Sequence, residues 1–196
     1  LLPRAKALAS FVFLPLTPSP MHDNIALSYM ETPKVYIETT LFNFYFAETR
    51  RQYYGRTVDL CRDARLFFDA VGEGEFEPYT SDYVMAELED VCNEGYRLEM
   101  LQLVADYGVT VLPRDGREEW LADKYIEATA IPAKHRTDAL HIASATVHGL
   151  DFIVSQNFEH IIKDKAIRLT AMVNAAEGFD SVGIYEPGEV MGDEGT

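Results

Sequence analysis

The chain has 196 residues and 47% apolar side chains, enough for one domain with a core two or three layers thick, and its composition argues against global disorder. Its 17 Lys and Arg against 32 Asp and Glu give a formal charge of −15, which disfavours adhesion to nucleic acid or anionic membranes by net charge, so a nucleic-acid role must rest on a local site. Cys61 and Cys92 form no CxxC pair and have no His at metal-ligand spacing, so two reduced, packed thiols in a cytoplasmic protein are expected.

Residues 1–20, LLPRAKALASFVFLPLTPSP, place two basic residues before an apolar run at 7–16. That run is too short for a bilayer span, which needs about 20 residues. Residues 1–29 are therefore expected to be an extension outside the fold, 30–190 the domain, and 191–196 an acidic tail.

In KVYIETTLFNF, residues 34–38 read as a buried strand ending in a carboxylate, Glu38; a helix over 39–49 and a loop over 50–55 follow. Leu60, Ala64, Phe67, Phe68 and Val71 recur on one helical face, and Gly72 and Gly74 stop that helix. An extended piece at 76–80 leads into SDYVMAELEDVCNEG, a helix capped by Ser81 and stopped at Gly95. A helix over 96–107, the strand VTVL closed by Pro113, and a helix over 117–129 come next. The stretch IPAKHRTDALHIASATVHGLDFIVS reads as a loop, a helix capped by Thr137 and ended by Gly149, and a buried strand at 151–154. A helix over 167–176 and an edge strand in SVGIYEP complete the chain. Strands alternating with helices predict an α/β three-layer sandwich, a central parallel sheet flanked by helices, with no repeat and no transmembrane segment.

In an open parallel sheet, ligands bind beyond the carboxyl ends of the strands. Glu38 stands at one such end and Ser155-Gln156-Asn157 at another. Glu87 shares a helical stripe with Val84, Leu88 and Val91, which turns it inward, whereas Asp90 and Glu94 point away. Asp138 lies in the first turn of its helix on the side of Ile142 and Ala145, where the helix dipole favours its ionised form. Each acid alone has an ordinary structural explanation; their conjunction points to hard oxygen ligands for Mg²⁺ or Mn²⁺, since gathered carboxylates repel unless a cation or protons intervene.

Three stretches in order, KVYIETTLFNFYF, TSDYVMAELED and RTDALHIASATVHGLDFIVSQNFEHI, resemble PIN-domain proteins, similar to the VapC-type toxin ribonucleases of toxin–antitoxin modules. The resemblance covers roughly residues 30–190 and implies a Mg²⁺- or Mn²⁺-dependent endoribonuclease acting on single-stranded RNA. It implies that Glu38, Glu87 and Asp138 are the catalytic and metal-site acids, with Asn157 near the place of a fourth acid and Thr39 and Thr137 supporting them. Two departures stand out: the first acid is a glutamate where aspartate is common, and Asn157 offers a carbonyl oxygen without charge. An antitoxin protein and a homodimer are the partners such a chain implies, and structured RNA is a second substrate class.

Arg50, Arg51 and Arg56, and Lys134, His135 and Arg136, are local basic groups suited to phosphate, although solvated loop charge explains each equally well. His141, one turn beyond Asp138, reads as a packed histidine and stays outside the expected site. Phe42, Phe44, Tyr45 and Phe46 read as core or a partner face before they read as base-stacking groups. A second functional class is a PIN-fold module that binds RNA or protein through a degenerate, non-cleaving metal site. A flavodoxin-like or haloacid-type phosphohydrolase lacks support: no acid follows Glu38 two residues on, and there is no Gly-rich phosphate loop, GxSxG or HExxH.

Overall fold

A computed structural model describes residues 32–46, 50–53 and 56–191, with backbone only at 50–53 and 56–58. The expected extension at 1–29 and residues 192–196 of the expected tail lie outside the described residues.

The chain opens with strand β1 (Lys34–Ile37) and helix α1 (Thr39–Phe46). The segment expected as a loop instead forms β2 (Arg50–Tyr53) and β3 (Arg56–Asp59), an antiparallel pair with Arg50 opposite Asp59. Its strands are so polar that a search for apolar alternation passes over them. Helix α2 (Leu60–Gly72) follows; the Asp59 side chain accepts from the Arg62 N–H at 3.1 Å, capping it, and the predicted face is buried. Gly74 takes a left-handed φ of 82° beyond its end, a conformation that glycine adopts without a Cβ penalty.

Strand β4 (Glu77–Ser81) runs into α3 (Asp82–Glu89), and α4 (Glu94–Asp106) is a separate helix. Here two expected punctuation marks change role. The Asn93 side chain caps α4 by accepting from the Tyr96 N–H at 3.1 Å, so Gly95 opens a helix instead of stopping one. Ser81 sits at the start of α3 without capping it, because its hydroxyl pairs with the Tyr36 hydroxyl at 2.6 Å.

Strand β5 (Thr110–Leu112), helix α5 (Arg117–Glu127), a 3₁₀ turn (Ala133–His135) and helix α6 (Arg136–Val147) come next. Thr137 is not the cap of α6: it lies within the first turn, exposed, and His135 occupies the cap position. The chain ends with β6 (Phe152–Val154), α7 (Asp164–Glu177), β7 (Gly183–Tyr185) and the short α8 (Pro187–Val190), whose Glu186 and Glu189 form a capping box.

Five strands form one sheet in the order β5-β4-β1-β6-β7, all parallel. The chain therefore moves from β1 to one edge, returns across the sheet, and continues to the other edge. Right-handed crossovers then put α1 to α4 on one face and α5 to α7 on the other, and the helices pack accordingly, α1 on α2, α3 and α4, and α5 on α6 and α7. This is the expected three-layer α/β sandwich. The direction of winding reverses between β1 and β6, so the crevice beyond their carboxyl ends is the switch point at which such sheets take ligands. Val35, Tyr36 and Ile37 of β1 are wholly buried, and α6 is buried from Ala139 to Val147, which fixes the floor of that crevice.

Candidate functional site

Glu38 follows β1 directly and extends its pairing, donating its N–H to the Val154 carbonyl at 3.2 Å. Its carboxylate is buried, yet Oε2 accepts from the Ser155 hydroxyl at 2.9 Å, the Thr40 N–H at 3.1 Å and the Thr40 hydroxyl. Thr40 Oγ1 in turn accepts from the Gln156 N–H at 2.8 Å. The extra methylene of glutamate lets the carboxylate fold back over the start of α1 while still reaching the end of β6. Glu38 thus closes the corner between the two switch-point strands.

Glu87, on α3, accepts from the Thr39 hydroxyl and lies 3.1 Å from His141 Nε2. Burial pushes its carboxyl up, but the hydrogen bond and charge of His141, with the Thr39 hydroxyl, outweigh burial and hold it below the ordinary glutamate value. His141 is buried on α6, and its Nδ1 is 3.0 Å from the Tyr36 hydroxyl, which meets Ser81 at the end of β4. Burial lowers His141, while the Glu87 hydrogen bond and the charges of Glu38, Glu87 and Asp138 raise it further, so the net shift is upward. With Nε2–H donated to Glu87, a neutral imidazole accepts from Tyr36 at Nδ1 and a protonated one donates there, so the Glu87–His141–Tyr36–Ser81 chain is satisfied in either state.

Asp138, on α6, accepts at Oδ1 from Asn157 Nδ2 at 3.1 Å. Its Oδ2 is buried without a hydrogen-bond partner among the described residues, 3.8 Å from His135 Nδ1. Burial first, then the charges of Glu38 and Glu87, push this carboxyl up to about 6 against the opposing His141 and Asn157. The helix dipole, expected to favour the ion, is outweighed.

Asn157, expected near the place of a fourth acid, accepts at its oxygen from the His160 backbone N–H at 3.1 Å and donates from its nitrogen to Asp138, so it holds that acid in place. Thr39 supports Glu87, as a neighbour of the acids is expected to do, but Thr137 is exposed, outside this network. Arg136 pairs with Asp123 at 2.9 Å and donates to the Glu119 carbonyl at 3.2 Å. Lys134 instead lines an open groove of about 520 Å³ with Lys163, Lys165 and His160. The side chains of Arg50, Arg51 and Arg56 lie outside the described residues. The aromatic run is packing: Phe42 is core, Phe44 joins Leu60 and Phe158, and Tyr45 and Phe46 lie against the core.

Glu38, Glu87 and Asp138 come to one end of the sheet from three separate elements. They are not, however, one of the groups whose ligand atoms all fall within 4.8 Å of one another; among the described residues those groups are His135, Asp138 and His160, and Asp115, Glu118 and His148. The rings of His135 and His160 stack at 3.6 Å. His141 and His160 lie outside the expected site, and His135 is expected only as a basic group suited to phosphate. The available signal for His141 was its position three residues after Asp138, on the helical side shared by Ile142.

Together these features define an α/β protein with a doubly wound parallel sheet and acid and histidine side chains gathered at its switch point. No family model matches the chain, and no curated protein matches it significantly.

Proposed function

We propose that the chain is a metal-dependent endoribonuclease of PIN type that hydrolyses phosphodiester bonds of single-stranded RNA, the toxin of a type II toxin–antitoxin module. The observation that carries this reading is the gathering of Glu38, Glu87 and Asp138 at the switch point: burial first, then the charges of Glu38 and Glu87, push Asp138 up to about 6, and its Oδ2 has no hydrogen-bond partner among the described residues. Such a site fits a divalent cation, which relieves the repulsion and satisfies the orphan oxygen. Asp138 and Glu87 are the ligands, and Glu38 contributes charge from behind them. When bound, Mg²⁺ or Mn²⁺ supplies charge neutralisation at the phosphodiester and a more acidic water.

The remaining residues position these acids. His141 and Thr39 keep Glu87 ionised, Asn157 fixes the direction of Asp138, and Thr40 and Ser155 hold Glu38. The lysine-lined groove gives an otherwise acidic chain a local place for the phosphate backbone.

A cleavage assay on single-stranded and structured RNAs across a Mg²⁺ and Mn²⁺ titration tests the reading. Asp138→Asn is expected to lose cleavage by about 100-fold or more with its circular dichroism unchanged; equal activity in that variant sinks the assignment. One observation favours a second reading, a PIN-fold module that binds RNA or protein without cutting: Glu38 Oε2 is already taken by three donors. Calorimetry with Mn²⁺ separates the two, since RNA binding with neither millimolar metal binding nor cleavage belongs to the second.

A further inference from the structure

We infer that His135, Asp138 and His160 form a binding site for a borderline transition-metal ion, Zn²⁺ or Co²⁺ in preference to Mg²⁺, which shares Asp138 with the carboxylate site described above and takes its other ligands from two histidines. The inference goes beyond the nuclease reading and does not rest on the chain cutting RNA.

Three side chains meet there from two segments that the fold brings together, the start of α6 and the turn after β6. Ligand atoms of all three lie within 4.8 Å of one another, and His135 Nδ1 is 3.8 Å from Asp138 Oδ2. An ion with bonds of about 2.0–2.1 Å in tetrahedral geometry sets its ligand atoms roughly 3.3–3.5 Å apart, so modest closure of half-buried side chains completes the site. Two buried atoms of the group, Asp138 Oδ2 and His135 Nε2, have no hydrogen-bond partner among the described residues. A buried carboxylate oxygen facing imidazoles without a donor is costly when the ion is absent, and a cation removes that cost.

The rings of His135 and His160 stack at 3.6 Å, which sets the two imidazoles side by side with nearly parallel lone pairs, so one ring turns for both to reach the same ion. Two nitrogens and one oxygen select a borderline ion over Mg²⁺, which prefers an all-oxygen octahedron. Asn157 supplies the support that ligating carboxylates require: its amide nitrogen donates to Asp138 Oδ1, while its oxygen accepts from the His160 backbone N–H and so fixes the turn that carries that histidine. The exposed Glu159 carboxylate, 3.8 Å from His160 Nε2, is a further oxygen in reach. Because His160 also lines the groove carrying Lys134, Lys163 and Lys165, an anionic ligand can approach an ion held there.

The test is Co²⁺ and Zn²⁺ titration of the untagged full chain, without RNA, by calorimetry and by Co²⁺ absorption. One ion per chain is expected, with His135→Gln and His160→Gln each weakening affinity about tenfold or more. Glu87→Gln is expected to leave it within about threefold, since Glu87 is no ligand here. Paramagnetically shifted, exchangeable imidazole N–H resonances in the Co²⁺-loaded wild type give a readout that does not depend on any variant folding. Absence of Co²⁺ binding, absence of those resonances, or undiminished affinity in both His135→Gln and His160→Gln overturns the site.

Discussion

His141 Nε2 lies 3.1 Å from Glu87 Oε2, a contact that joins α6 on one face of the sheet to α3 on the other, directly over the end of β1. Because Nδ1 of the same ring meets Tyr36 of β1, the helical layers and the central strand converge on one buried imidazole. His141→Ala leaves the Tyr36 hydroxyl and a half-buried carboxylate short of a partner, so a loss of about 1–3 kcal/mol is expected in urea unfolding.

The pH dependence of that loss follows from the two shifts. Glu87, held below the ordinary 4.5, contributes stability that is present above that value and disappears as pH falls through its folded-state value. His141, held above the ordinary 6.5, contributes stability that is complete below that value and disappears as pH rises through its folded-state value. The gap between wild type and His141→Ala should therefore be widest between 4.5 and 6.5 and narrow on either side. A gap that stays constant from pH 4 to 9 would falsify the pairing.

Asp138 has the opposite effect on stability in the absence of metal. Raised from 3.8 to about 6, it stays protonated in the folded chain where the unfolded chain has already ionised, so stability falls as pH rises across that interval. The full penalty above it is on the order of 3 kcal/mol. Asp138→Asn should accordingly be the more stable protein at pH 7.5 in EDTA, by up to that amount, while losing the proposed cleavage. Saturating metal should close the difference by stabilising the wild type alone. Matching unfolding curves for the two proteins in EDTA at pH 5 and pH 7.5 would contradict this.

The parallel sheet was legible because β1 and β6 are short, apolar and bounded, and because helices of regular period separate the strands. The acids were legible for a related reason: position at a strand end or on a buried helical stripe can be read from spacing. What spacing does not carry is the partner across the fold. Nothing adjacent to Asn157 reveals that its oxygen will be taken by the His160 N–H, nor does the run KHR reveal that Arg136 will reach Asp123 on a helix that precedes it. Gly95, expected as a stop, and Thr137, expected as a cap, misled for a local reason: Asn93 and the turn at Ala133–His135 set the helix starts there.

Glu38 offers a test of side-chain length. Glu38→Asp shortens the arm that reaches both Thr40 and Ser155, and one of these bonds must go. A destabilisation of about 1–3 kcal/mol is expected because the donors left behind are largely buried. Ser155→Ala on the Glu38→Asp background should then cost less than in the wild type, since a contact already lost cannot be lost twice. Additive losses in the double-mutant cycle would show that the two residues do not cooperate.

A separate polar network holds the helices on the α5 side. The Tyr125 hydroxyl donates to Asn174 Oδ1 at 2.5 Å and stands 3.2 Å from Thr146 Oγ1, linking α5, α6 and α7 where water is excluded. Tyr125→Phe keeps the ring and orphans the Asn174 oxygen, so it should cost about 1–3 kcal/mol in urea unfolding. Because this network is far from the acids in the fold's connectivity, the variant should keep its metal affinity, which calorimetry measures on the same sample.

Lys134 and Arg136, two residues apart, should behave differently toward RNA. Lys134 lines the open groove, whereas the guanidinium of Arg136 is held by Asp123 and the Glu119 carbonyl. If the groove takes the phosphate backbone, Lys134→Ala removes one phosphate contact, and the slope of log affinity against log salt should become shallower by about 0.7. Arg136→Ala should leave that slope unchanged and lower stability slightly, by less than about 1 kcal/mol for an exposed ion pair. Fluorescence anisotropy with a labelled single-stranded RNA at several salt concentrations measures both slopes. Equal changes in the two variants would place the RNA elsewhere on the surface, because only Lys134 faces the groove.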